Sequence, residues 1–187
     1  MSDGMKRTDS LKALARHITD EVVVAAIGGL IDEWAHILHR DLNYYSGGMG
    51  LAASIGLGLS LAQPKRKVIV LDGDGGLLMN LGSFATTSGL RPSNFLHLIF
   101  NNGTYESSGN IQLPGGDHVR FSDIASGSGV GNVREVSEIA AWREMIPEIL
   151  TLQEHTVVVL RVVPGDSVPL LSHDRIAHRF RFQEALK

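Results

Sequence analysis

The sequence predicts an α/β protein: a parallel sheet covered by helices on both faces, in three layers. Three observations carry that prediction. Short β-branched runs recur at residues 22–27, 67–71, 95–100 and 156–163, and continuous apolar runs of this length suit strands buried on both faces. Segments with helical spacing alternate with them, at residues 30–39, 51–61, 77–88 and 137–152, which is the order of a parallel sheet with crossover helices. The 21 glycines gather in clusters near 28, 47, 73, 103, 115 and 127. The clusters after Ile27, Leu71 and Phe100 follow predicted strands, where ligands of such sheets bind.

Size and composition narrow the class. A chain of 187 residues with 43% hydrophobic content can bury one substantial core, so residues 1–187 are read as one domain. Residues 172–187 read as an amphipathic helical tail in which Arg175, Arg179 and Arg181 mix with Ile176, Phe180, Phe182 and Leu186, a pattern of packing against a core. The net charge of −3, from 17 basic and 20 acidic residues spread through the chain, offers no footprint for nucleic acid. The absence of cysteine excludes disulfides, thiolate metal sites and a cysteine nucleophile, and fits a reducing compartment. No apolar run reaches the roughly 18 residues of a membrane span, and residues 1–10 are polar, so a soluble, cytoplasmic protein is expected.

The stretch Val68-Ile69-Val70-Leu71-Asp72-Gly73-Asp74-Gly75-Gly76-Leu77-Leu78-Met79-Asn80 carries the most chemistry. A buried strand enters a glycine turn and then a helix, and the amides at such a helix start make a seat for phosphate. Asp74 would repel a phosphate there unless a cation lay between them. A hard divalent ion that takes oxygen ligands, such as magnesium, fills that part. An EF-hand starting at Asp72 fails, because its sixth and twelfth positions hold Leu77 and Ser83 instead of glycine and glutamate. A simple helix cap by Asp74 is the competing structural reading. The next strand ends at Phe100-Asn101-Asn102-Gly103-Thr104, beside the acidic loop in a parallel sheet. Gly73-Asp74-Gly75, then 25 residues from 76 to 100, then Asn101-Asn102, resembles the thiamine-diphosphate motif, GDG followed by NN.

The second glycine cluster, Ser46-Gly47-Gly48-Met49-Gly50-Leu51-Ala52-Ala53-Ser54-Ile55-Gly56, opens a helix of small residues. Gly48-x-Gly50-x-x-Ala53 also fits the relaxed dinucleotide fingerprint. That fingerprint should follow a buried strand, whereas Asp41-Leu42-Asn43-Tyr44-Tyr45 is a polar and aromatic approach. A Rossmann oxidoreductase is therefore the weaker reading.

These stretches, with Asn101-Asn102-Gly103-Thr104-Tyr105-Glu106-Ser107-Ser108-Gly109, resemble the thiamine-diphosphate-dependent 2-oxoacid decarboxylases over residues 20–165. Within that family they are most similar to sulfopyruvate decarboxylase β subunits and to the C-terminal part of phosphonopyruvate decarboxylases. The resemblance implies the thiamine-diphosphate-binding fold, with thiamine diphosphate and Mg2+ as cofactors. It implies that Asp74, the Asn102 side chain and the Thr104 carbonyl hold the metal. Gly73, Gly75 and Gly76 would face the diphosphate, Gly48 and Met49 would line the cofactor rings, with Met49 supporting the bent cofactor, and Tyr105 joins this set. After Ser108-Gly109 the chain reads Asn110-Ile111-Gln112-Leu113-Pro114 where the relatives tend toward Gly-Gly-Gln-Pro, which leaves the substrate open.

The resemblance also implies what the chain lacks. Family members activate the aminopyrimidine with a glutamate of a pyrimidine-binding domain, and 187 residues hold only one domain. That glutamate is expected from a separate α-type subunit, in a hetero-oligomer, with a homo-oligomer as the state in isolation. No catalytic residue is assigned within this chain; Glu33 and Glu106 read as solvated or capping carboxylates. His36 and His39 share a helix face without a third ligand nearby. Lys65-Arg66-Lys67 reads as a solvated turn, and Asp117-His118 as a surface loop within possible reach of substrate. The alternatives are a cofactor-binding or regulatory module without chemistry of its own, and another thiamine-diphosphate-dependent lyase or carboligase.

Overall fold

The apolar runs fold into the middle of the sheet because their residues have no polar face to show to water. The computed structural model describes residues 4–163, 169–170 and 174–187. In chain order the first elements are α1 (Arg7–Ala15), β1 (Val22–Ala25), α2 (Gly29–Ile37), β2 (Asn43–Tyr45) and α3 (Ala52–Ala62). There follow β3 (Val68–Gly73), α4 (Asp74–Leu78), α5 (Gly82–Leu90) and β4 (Phe95–Asn101). After a small antiparallel pair, β5 (Thr104–Tyr105) and β6 (Ile111–Gln112), come α6 (Phe121–Gly127), β7 (Asn132–Val136), α7 (Ile139–Thr151), β8 (Thr156–Arg161) and α8 (Arg175–Ala185).

The main sheet has six strands in the order β2-β1-β3-β4-β8-β7, every pair parallel. Side chains alternate across it, as the pleat requires. Leu96, Leu98, Phe100, Val158 and Leu160 join Leu11 and Leu14 of α1, Trp34 of α2, and Trp142, Ile146 and Ile149 of α7 in one core. Ile99, Val157 and Val159 point the other way, onto Phe84 of α5 and Phe121 and Ala125 of α6. The three-layer α/β reading of the sequence therefore holds.

The helices α1 and α6 and the small β5–β6 pair fall outside the expected elements, and in the main sheet and its helices two further strands and one break depart from the sequence reading. β2 forms from the approach that looked too polar, as a three-residue edge strand, so the strand argument against the dinucleotide fingerprint does not stand. The missing signal is burial: an edge strand is covered on one side only, and Asn43 is buried because its side chain accepts from Trp34 Nε1 at 3.1 Å and donates to the Leu38 carbonyl at 2.6 Å. β7, Asn132-Val133-Arg134-Glu135-Val136, is the opposite edge and reads as polar for the same reason. The single helix expected over 77–88 is two, α4 and α5, separated by a turn at 79–81. Asn80 explains the break: its side chain donates to the Gly50 carbonyl at 2.8 Å and ties the turn to the loop after β2, a hydrogen bond outside the helix that an asparagine side chain readily makes.

Candidate cofactor site

The register of the sheet brings the sequence motifs together. Gly73, the last residue of β3, lies opposite Phe100 of β4, and Ala25 of β1 opposite Leu71 of β3. The loops leaving β1, β3 and β4 therefore start side by side. A small cavity of about 60 Å3 opens among them, lined by Ile27 and Gly28 after β1, Met49 after β2, Gly73 to Gly76, and Asn102, Thr104 and Tyr105. Of the residues the resemblance assigns to cofactor or metal, only Gly48 is absent from its wall; a Cβ there would meet Leu51 Cδ1 at 2.9 Å.

Asp74 stands at the start of α4 and is 2% exposed. Its carboxylate does more than cap. One oxygen accepts from its own helix, Gly75 N at 2.8 Å, and the other crosses to Gly103 N at 2.7 Å, so it links the loops after β3 and β4. Burial is the largest influence on this group and pushes its pKa up to about 6, against the backbone N–H groups of Gly103, Gly75 and Asn102 and the charge of Arg7. A carboxylate held in that state gains from a bound cation, which favours its charged form.

Asn102 turns its amide oxygen toward Thr104, accepting from Thr104 N at 2.9 Å, while its Nδ2 donates to Glu106 Oε2 at 2.9 Å. The oxygen-bearing groups at the cavity suit a hard divalent cation over a softer metal. Among the described residues no group of three His, Cys, Asp or Glu could hold a metal, so any ion here would share its coordination with backbone, amide or ligand oxygens. Gly75 is required for shape: an added Cβ would sit 2.6 Å from the Tyr105 ring.

Apart from Glu106, the remaining sequence candidates lie outside the cavity wall. His36 Nδ1 lies 2.7 Å from the Asp32 carbonyl of its own helix. His118, itself exposed, ends a 3-10 turn away from the cavity wall. Lys67 is not simply solvated; its ammonium donates to the Leu152 carbonyl, and burial lowers its pKa. Glu33 and Glu106, read as solvated or capping, are neither. Glu33 is 1% exposed and pairs with Arg7 Nη2 at 2.5 Å, and Glu106 also binds the Arg7 guanidinium. Desolvation would lower the pKa of Arg7, but its hydrogen bonds to Glu33 and Glu106 outweigh that and hold it above its ordinary value. Arg7, Glu106 and Ser107 line the cavity. Arg7 left no local trace in the sequence, because a basic residue beside Lys6 in a polar opening stretch looks like any surface residue.

The family "Thiamine pyrophosphate enzyme, C-terminal TPP binding domain" matches residues 31–162. The chain belongs to this family. It is 33% identical to the sulfopyruvate decarboxylase subunit beta of Methanocaldococcus jannaschii, across 97% of this chain and 97% of that one. It is also 33% identical to the phosphonopyruvate decarboxylase of Streptomyces viridochromogenes, across 91% of this chain but 44% of the relative. Among solved structures, the Rhodococcus jostii RHA1 thiamine diphosphate-dependent 4-hydroxybenzoylformate decarboxylase superposes with a TM-score of 0.74 at 22% identity, covering 89% of this chain and 34% of that one. The last likeness shows the fold alone. The chain thus spans nearly all of the β subunit but less than half of the other two proteins. Thiamine diphosphate is the cofactor of the family, and the dinucleotide reading falls.

Proposed function

We propose that this chain is the diphosphate- and Mg2+-binding subunit of a thiamine-diphosphate-dependent decarboxylase acting on a 2-oxoacid such as sulfopyruvate or phosphonopyruvate. One observation carries the proposal: a buried carboxylate and an amide, Asp74 and Asn102, stand on neighbouring strand ends across a glycine-walled cavity. Asp74, the Asn102 amide oxygen and the Thr104 carbonyl would hold the cation, and the cation would hold the diphosphate. Gly73, Gly75 and Gly76 let the backbone approach it closely, with Tyr105 packed over Gly75. Gly48 and Met49 would border the rings. Once bound, thiamine diphosphate supplies an electron sink for loss of carbon dioxide from the 2-oxoacid; this chain's residues bind it, orient it and keep water away.

The size of the cavity supports a shared site. Pockets that enclose a whole small molecule run to about 300–1,000 Å3, against about 60 Å3 here. The other walls, and the glutamate that activates the aminopyrimidine, would come from a separate pyrimidine-binding α-type subunit. Apolar side chains left in water near the site fit that arrangement: Met49 in the wall, Leu51 beside it, Met79 after α4 and Ile111 paired with Tyr105 are each more than one-third exposed, the kind of cluster that marks an interface. No helix among the described residues is long and apolar enough to cross a membrane.

The test is co-expression with a pyrimidine-binding subunit, followed by measurement of carbon dioxide release from sulfopyruvate and phosphonopyruvate with Mg2+ and thiamine diphosphate. Release that requires both chains and Asp74 supports the reading. A complex that binds cofactor but releases nothing from either acid would favour the regulatory module.

A further inference from the structure

The cation ligand proposed on β4's loop is itself held in place, and the hold comes from the far end of the chain. An asparagine amide is nearly symmetric in shape, so its oxygen and nitrogen are told apart only by their partners. Glu106, when ionised, can only accept, and its Oε2 takes the Asn102 Nδ2–H at 2.9 Å. That fixes the nitrogen on the Glu106 side and leaves the oxygen on the Thr104 side, where it accepts from Thr104 N at 2.9 Å and, more weakly, from Thr104 Oγ1 at 3.3 Å, a hydroxyl that can rotate away when a cation takes its place. Glu106 is fixed in turn by Arg7, which reaches both carboxylate oxygens with its two terminal nitrogens. The Arg7 guanidinium is anchored from behind by Glu33, through Nε at 3.1 Å and Nη2 at 2.5 Å. Glu33 is held once more by Thr8 Oγ1 at 3.0 Å. Arg7 is 4% exposed, and α1, α2 and the loop after β4 meet through it.

We infer that Arg7 and Glu106 are positioning residues, which orient the Asn102 side chain so that its oxygen faces the bound cation. Arg7 lies outside the 31–162 segment that defines the family match. The inference rests on the reading of Asn102 as a cation ligand. It predicts more than a structural ion pair would, because a pair that only stabilises the fold has no reason to act through one amide. Groups that orient a metal ligand in this way typically govern metal affinity by about 10–100-fold.

The experiment is a double-mutant cycle on the full chain, in complex with its pyrimidine-binding partner where the two co-purify. Mg2+ is titrated at saturating thiamine diphosphate and followed by binding heat, with thermal unfolding in the absence of both as the check on folding. Glu106→Gln keeps the shape, and its side chain is 22% exposed, so the fold tolerates it better than loss of Arg7. It should raise the half-saturating Mg2+ concentration about tenfold. In an Asn102→Ala background the same change should add nothing, since the group it orients is gone. Should Glu106→Gln fail to fold, Arg7→Lys serves instead, keeping the charge but not the planar fork that spans two carboxylates; the same loss is expected, again absent with Asn102→Ala. Unchanged affinity in Glu106→Gln, with large losses in Asp74→Ala and Asn102→Ala, would overturn the positioning role and leave the cation site intact. Equal, additive losses in both backgrounds would overturn it as well. If Asp74→Ala and Asn102→Ala bind Mg2+ as the unaltered chain does, the cation site itself fails.

Discussion

Two polar clusters sit within one strand's length of each other, and their contrast separates structure from function. The inner one joins Asp72, His97 and His155, beneath the helix layer; the outer one joins Asp74, Asn102 and Glu106, beyond the strand ends. Asp72 and Asp74 are equally buried, at 1% and 2% exposure, and stand two residues apart. Asp72 points back into the sheet, with one oxygen 3.2 Å from His97 Nε2 and the other accepting from Gly73 N at 3.0 Å. Asp74, one pleat further on, has left the sheet and reaches across to another loop. Neither His97 nor His155 touches the cavity wall, whereas every member of the outer cluster does. Burial of a carboxylate is thus no sign of function by itself; the sign is a buried carboxylate at a strand end, facing an opening.

Removing each aspartate should break the comparison cleanly if it is right. Asp74→Ala should weaken Mg2+-dependent binding of thiamine diphosphate by about a hundredfold or more, the scale of losing one partner of a buried charge pair, while the fold survives. Asp72→Ala should do the reverse. It strands the buried His97 nitrogen and should cost about 2–3 kcal/mol of stability, with little change in affinity. Parallel binding and melting measurements decide the matter, and equal affinity losses in the two variants would dissolve the distinction.

The two clusters should also answer to pH in opposite directions. In the absence of metal, burial raises the Asp74 pKa from 3.8 to about 6. Its contribution to stability is then complete below about pH 4 and is lost as the pH rises through 6. His155 is 7% exposed and neither ring nitrogen finds a hydrogen-bond partner among the described residues. Burial first, and His97 second, push its pKa from 6.5 down to about 4. Its contribution is complete above pH 6.5 and is lost as the pH falls through 4. Each shift corresponds to roughly 3 kcal/mol. Chemical denaturation of the metal-free chain between about pH 4 and 7 should show Asp74→Asn abolishing the loss toward neutral pH and His155→Leu abolishing the loss toward acid. Superimposable curves for all three proteins would contradict both assignments.

Much of this was legible in the sequence, for physical reasons that also explain what was not. The runs at 22–27, 67–71, 95–100 and 156–163 suited strands buried on both faces, and Asp74 and Asn102 came together because parallel register forces neighbouring strand ends to meet. β2 and β7 stayed hidden because edge strands need no continuous apolar run. The break between α4 and α5 depends on an Asn80 bond to Gly50, thirty residues away in sequence. Arg7 was invisible for the same reason on a larger scale: its two partners are 26 and 99 residues distant, and no local pattern encodes such a contact.

The smallest effects come from two glycines, one in each region. Gly56 of α3 faces Val70 of β3, where an added Cβ would lie 2.2 Å from Val70 Cγ2 and 3.1 Å from the Phe95 ring. Both neighbours are fully buried, so neither can retreat, and Gly56→Ala should cost about 1–3 kcal/mol of stability with Mg2+ affinity unchanged. Gly75 meets a less severe obstacle, the Tyr105 ring at 2.6 Å with Leu113 Cδ2 at 3.2 Å behind it, and Tyr105 is only partly buried and lines an open cavity. The ring can swing out, so Gly75→Ala should cost less stability than Gly56→Ala. The displacement would instead be felt at the cavity wall, as weaker binding of thiamine diphosphate. Melting temperatures and cofactor titrations on the two variants side by side test this, and a larger stability loss in Gly75→Ala would mean that the strand-end region is packed as rigidly as the core.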